Sequence, residues 1–169
     1  EEISDKIKFL QNAIGAILAP QESWLLQRGM KTLGLRMRSH QSNAQIIFEY
    51  LNKQEKVGKI YFPGDPNNPD FALAKKQMNG FGAMISFELK PGLNPESFID
   101  KLKVITLAES LGALESLIEI PAIMTHGAIP RDIRIAHGIQ DELIRLSVGV
   151  EDIEDLVEDL EQSFNQLNY

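Results

Sequence analysis

Three histidines, one arginine on an apolar strand and one dense acidic run are the residues whose types and spacing could support chemistry. His40, His126 and His137 form no H-E-x-x-H pair, and no carboxylates flank them at metal-ligand spacing, so no metal centre is expected. His40 lies in a predicted helix beside Arg36 and Arg38 and is expected to face solvent or serve as a cap. His137 falls near a predicted helix C-terminus, where a partly charged imidazole suits the helix dipole. His126, in the turn Met124-Thr125-His126 after Pro121, sits in a plausible site loop, with a structural role favoured over a catalytic one. The run Glu151, Asp152, Glu154, Asp155, Glu158, Asp159 and Glu161 reads as the solvated face of a helix, because apolar residues recur through it. Asp152 and Asp155 suit that helix's N-terminus. No glycine-rich phosphate loop is present; Gly80-Phe81-Gly82 leads into a strand rather than a helix.

Arg145 is the most informative of these residues. On the strand predicted over Leu143 to Val150, alternation puts Ile144, Leu146, Val148 and Val150 on one face and Arg145, Ser147 and Gly149 on the other. An arginine on a small, polar strand face is suited to gripping a carboxylate with two parallel N–H donors. Spacing alone favours the plainer reading, a surface or salt-bridging arginine with Glu151 or Glu109 as partner.

The elements that must position these residues alternate between helix and strand. Ile3, Ile7, Leu10, Ile14 and Ile17 recur at helical spacing, and Ala19-Pro20 turns the chain. Glu22 to Lys53 continues as a long helix, with Gly29 and Gly34 as positions where it could bend or break. Strands are predicted over Val57 to Phe62, Ile85 to Leu89, Val104 to Ala108 and Leu143 to Val150. Helices are predicted over Phe71 to Met78, from Pro95 to Leu102, over Pro130 to His137 with Gly138 at C′, and over Asp152 to Leu167. Ser110 to Ile120 reads as a loop that becomes apolar. The pattern implies an α/β (α+β) fold: a long helix followed by about four short strands with helices on one face, the boundary falling near Gln54 to Lys56.

Composition bounds the function. The chain has 169 residues, no cysteine, 17 Lys and Arg against 24 Asp and Glu, and a formal charge of −7. Disulfides, thiolate metal sites and a cysteine nucleophile are excluded. The acidic balance argues against a nucleic-acid partner, and no apolar run approaches the roughly 20 residues of a membrane span. Glu1-Glu2 opens a polar stretch, so no signal peptide is expected; a cytoplasmic location is expected, and the missing initiator Met suggests a piece or a processed form of something longer.

Several blocks carry a family resemblance. They are Glu109-Ser-Leu-Gly-Ala-Leu-Glu-Ser-Leu117, Pro121-Ala-Ile-Met-Thr-His126 and Gly138 to Glu151. Further blocks are Arg28-Gly-Met-Lys-Thr-Leu33 with Arg36-Met-Arg38, His40 and Asn43-Ala44, then Tyr61-Phe-Pro-Gly64 and Phe81-Gly-Ala-Met-Ile-Ser-Phe87. In these blocks the chain resembles the C-terminal part of the Cys/Met-metabolism enzymes that use pyridoxal phosphate (PLP). That family includes cystathionine γ-synthase, cystathionine β- and γ-lyase, methionine γ-lyase and the O-acetylhomoserine sulfhydrylases. Ala113, where a second glycine is common, is a mild departure.

The resemblance implies an aspartate-aminotransferase-like subunit, with residues 1–53 as the end of the large domain and interdomain helices and 54–169 as the small C-terminal domain. It implies a PLP-dependent lyase or transferase of cystathionine and methionine metabolism, acting on sulfur amino acids or activated homoserine. Arg145 would pair with the substrate carboxylate, Ser110 and Thr125 would line the same pocket, and Glu109 matches a position that varies with activity. The implied partners are a small amino-acid substrate, the large PLP domain of the same enzyme and further copies in a homo-oligomer, a tetramer in the family. The family's Schiff-base lysine lies in a Ser-x-Thr-Lys segment that this chain does not contain, so no catalytic or cofactor-binding residue is expected here and no PLP on the chain alone. The alternative is a stand-alone, catalytically silent interaction domain.

Overall fold

A computed structural model describes residues 1–169. Two compact units divide the chain, Glu1–Leu35 and Arg36–Tyr169.

The first unit is helical. Helix α1 (Glu2–Ile14) stops where Gly15 adopts the left-handed conformation at φ 75°, which its missing Cβ permits. Helix α2 (Pro20–Met30) starts with proline, whose absent N–H costs nothing at that position. The Glu22 carboxylate accepts a hydrogen bond from the Ala19 N–H at 2.6 Å. This is half of a capping box, since alanine has no oxygen with which to return the bond. Neither helix buries a residue within the structure.

The long helix expected over Glu22 to Lys53 is two helices. The α2 ladder tightens to i→i−3 bonds, Lys31 N–H to Arg28 O and Thr32 N–H to Gly29 O, and helix α3 (Leu33–Leu51) then begins. Thr32 also donates its hydroxyl to Gly29 O at 3.4 Å. Glycine weakens the helix at the point where a hydroxyl side chain competes for its carbonyl.

The second unit is a five-stranded sheet with one core. Strands β1 (Val57–Tyr61), β2 (Met84–Leu89), β3 (Thr106–Leu107), β4 (Leu117–Glu119) and β5 (Leu143–Ser147) line up in the order β1-β2-β5-β4-β3. All neighbours are antiparallel except β3 and β4. Five strands replace the four expected. Leu117, Ile118 and Glu119 are all buried, so β4 shows no alternation in sequence. The expected strand Val104 to Ala108 shrinks to two residues because the Asp159 carboxylate takes the backbone N–H groups of Lys103, Val104 and Ile105 at 2.8–3.0 Å.

Helices α4 (Phe71–Gln77), α5 (Pro95–Ile99), α6 (Arg131–Ala136) and α7 (Ile153–Gln166) complete the unit. Register puts Ile85 opposite Leu146, Phe87 opposite Ile144 and Ile118 opposite Leu146, so one sheet face is apolar. Ala44, Ile47, Phe48 and Leu51 of α3, Phe98 of α5, and Leu156, Leu160 and Phe164 of α7 fill the core against it. Phe87, Phe98 and Phe164 meet with ring centroids 4.5–6.4 Å apart. Lys56 Nζ donates to Phe164 O and Leu167 O, closing the C-terminus of α7.

Two polar expectations are corrected. His40 is buried rather than solvent-facing, with Nδ1 2.7 Å from Val148 O. Asp159 is buried in the acidic run read as solvated, because it satisfies three loop N–H groups.

Candidate functional site: an arginine opposite a buried carboxylate

Tyr61, Ser86, Arg145 and Glu119 occupy successive cross-strand positions from β1 to β4. Arg145 is flanked by Ile144 and Leu146, which point into the core, so its own side chain emerges on the opposite face. Its side chain is 23% exposed. Nη1 lies 3.0 Å from Glu119 Oε1, and Nη2 donates to Ser110 O at 3.2 Å. The ion-pair partner is therefore Glu119, neither of the two carboxylates suggested by spacing. Opposite charges directly across an antiparallel pair reinforce each other.

Glu119 is 1% exposed, and its Oε1 also accepts the Thr125 hydroxyl at 3.2 Å. Thr125 Oγ1 lies 2.9 Å from His126 Nδ1. A hydroxyl has one hydrogen; if Thr125 gives it to the carboxylate, His126 Nδ1 must be the donor to Thr125. Three of the four sequence-predicted residues thus gather at one place, although Ser110 contributes its backbone carbonyl. Glu109 is exposed at the same loop, and its carboxylate makes no hydrogen bond or ion pair.

The loops that carry the site are fastened from behind. Ser147 Oγ accepts the Gly112 N–H at 2.9 Å, which ties the Ser110 loop to β5. Asn43 of α3 donates to Gly149 O at 3.2 Å and Glu151 O at 2.9 Å. Glu151 in turn accepts the Ser116 N–H at 2.5 Å and hydroxyl at 2.9 Å. Gly149 must be glycine for steric reasons: a Cβ there would stand 2.5 Å from both Leu114 O and Ser116 N.

Glu119 escaped the sequence reading, although a lone acid in the apolar run Leu117-Ile118-Glu119-Ile120 was the signal available. Ten of the eleven lysines are exposed, and the remaining one, Lys56, is spent on the end of α7. The Arg145 cluster includes no lysine.

Residues 1–165 match the family described as Cys/Met metabolism PLP-dependent enzyme. The chain is 54% identical over 166 residues to cystathionine beta-lyase of Lactococcus lactis subsp. cremoris (strain MG1363), covering 98% of this chain and 44% of that protein. It is 49% identical to cystathionine gamma-lyase of Bacillus subtilis (strain 168), covering 99% and 44%. Among solved structures, cystathionine gamma-lyase from Lactobacillus plantarum complexed with L-serine is 70% identical with a TM-score of 0.92, covering 98% and 43%. Cystathionine gamma synthase from Xanthomonas oryzae pv. oryzae, in complex with aminoacrylate and cysteine, is 44% identical with a TM-score of 0.89, again covering 98% and 43%. The chain spans less than half the length of these relatives. With a fold that superposes on these enzymes and a family match over residues 1–165, the chain belongs to the Cys/Met metabolism PLP-dependent enzyme family.

Proposed function

We propose that this chain supplies the substrate-carboxylate site of a PLP-dependent trans-sulfuration enzyme that breaks or forms a carbon–sulfur bond in cystathionine-type amino acids. Residues 1–53 then form the end of the large domain and the interdomain helices, and 54–169 the small substrate-binding domain. The intact enzyme assembles from further copies. The observation that carries the reading is Arg145. It donates one hydrogen bond, to Ser110 O, and one nitrogen faces Glu119, so guanidinium donors remain for a ligand carboxylate. That a relative's structure contains L-serine supports a small amino acid as the ligand class.

The residues of this cluster do not fit the cofactor itself. They offer no amine for a covalent bond to PLP. When bound by the rest of the enzyme, PLP supplies the electron sink for chemistry at the amino-acid carbon. Within this chain, Arg145 binds and orients the carboxylate, Thr125 and Glu119 steady the arginine, and Glu109 at the rim bears on which side chain is accepted.

The test is Arg145→Ala and Arg145→Lys in the full-length enzyme, with L-cystathionine as substrate. Arg145→Ala should cost about 2–5 kcal/mol in kcat/KM, and lysine, which keeps the charge but loses the planar fork, should remain impaired. PLP absorbance should stay at the wild-type level in both. Unchanged kcat/KM in Arg145→Ala would overturn the reading. The 169-residue chain alone should yield no borohydride-reducible PLP adduct on a specific lysine.

A further inference from the structure

Glu119 Oε2 is the one buried side-chain oxygen or nitrogen without a hydrogen-bond partner. A buried carboxylate with half its acceptor capacity unused is costly. An apolar residue would avoid that cost, and Leu117, two residues earlier on the same strand face, is buried there as an apolar side chain. A buried ion pair of this kind is weak grounds for stability, which turns attention to how the side chain holds its partner in place.

We propose that Glu119 is the positioning residue that aims Arg145 at the substrate carboxylate. The inference rests on the reading of Arg145 given above. One register pairing and three contacts define the arrangement. Cross-strand register sets Glu119 opposite Arg145, and the ion pair engages one nitrogen with one oxygen. Thr125 donates to that same oxygen, which fixes the carboxylate plane from the loop side. Ser110 O holds the second terminal nitrogen. An arginine side chain has several rotatable bonds, and tethering the fork before the ligand arrives removes ordering that binding would otherwise require. Because Glu119 touches Arg145 rather than the reacting atoms, its role is positioning and not catalysis.

Three substitutions separate aim from charge and from fold. Glu119→Gln keeps an oxygen for Arg145 and Thr125 but loses the charge. Glu119→Asp keeps the charge but draws it back by one methylene. Glu119→Ala removes both. In the full-length enzyme with L-cystathionine, aiming predicts that Gln changes KM by less than about threefold while Asp and Ala raise it about tenfold, with kcat nearly constant. In the 169-residue chain, the Arg145 side-chain NMR signals should be resolved in wild type and Gln and averaged in Asp and Ala.

If Ala does not fold, Asp against Gln decides the matter. A KM unchanged in Asp and Ala while melting temperature falls would reduce Glu119 to a structural residue and overturn the proposal. So would a KM raised equally by Gln, which would make charge rather than aim the cause. Failure of the carboxylate reading looks different: Arg145→Ala would leave KM unchanged while the NMR signals still responded to Glu119.

Discussion

Residues Glu1–Leu35 and Arg36–Tyr169 follow the same helical grammar and differ in what their apolar faces meet. Helix α1 carries a stripe as regular as that of α7, yet Ile3, Ile7, Leu10 and Ile14 are all exposed. Leu156, Leu160 and Phe164 of α7 are buried to within 1%. Periodicity records that a face is destined for burial; it does not say whether the burying surface lies in the same chain. Exposed apolar patches on this scale mark contact surfaces, in keeping with a chain that spans less than half the length of its relatives.

Substitutions at matching positions should break or confirm this contrast. The largest effect is expected for Phe164→Ala, which empties the centre of the Phe87–Phe98–Phe164 cluster and should cost about 3–5 kcal/mol in urea unfolding of the chain. Ile7→Ala on α1 should stay within about 0.5 kcal/mol in the same measurement. Comparable losses at the two positions would erase the distinction between the regions.

Next comes Asp159, the acid of α7 that behaves like a core residue. Asp159→Ala strands three loop N–H groups and should cost about 3 kcal/mol by the same unfolding assay. Loss near zero would return it to the solvated face.

The smallest effect lies at Asp141. Hydrogen bonds from Arg134 first and Arg131 second hold its carboxyl below the ordinary carboxylate range. A depressed folded pKa means stability that is present above the unfolded value of about 4 and is lost as pH falls through the folded value. Asp141 is 38% exposed, so solvent screens the pair and the contribution is small. Asp141→Asn should therefore lower the melting temperature slightly at pH 7 and converge with wild type as pH falls below about 4, which flattens the acid limb of the profile.

These contrasts also explain what was legible in sequence. Strand β2 alternates cleanly because one face meets the core and the other carries Ser86 and Glu88; in β5 only Arg145 breaks an otherwise buried run. Arg145 stands out in sequence as the one charge on that strand, while its role toward a carboxylate comes from the family resemblance alone. Its partner does not stand out, since Glu119 lies on a strand buried throughout and alternation vanishes there. His40 and Asp159 were misread because what buries them is remote: Val148 is 108 residues away in one case and Lys103 to Ile105 are about 55 in the other. Local pattern names the face of an element, whereas a buried polar group is explained by the group it meets. The break at Lys31-Thr32 is nearer to view, since Gly29 is a weak point of the helix in sequence.

The hold of Asp159 on the loop before β3 bears on solubility as well as on shape. Strand β3 is an edge of the sheet, and a naked edge is a template on which another chain can grow. Thr106 and Ala108 direct their N–H groups to β4, so alternation turns those of Ile105 and Leu107 outward. Asp159 occupies the Ile105 donor, leaving β3 a single outward N–H. The opposite edge, β1, is interrupted by a register shift between Val57 and Lys59 and carries the Lys59 charge. Each margin of the sheet is thereby a poor template for strand addition, and the exposed apolar side chains of α1 and α2 lie outside that sheet.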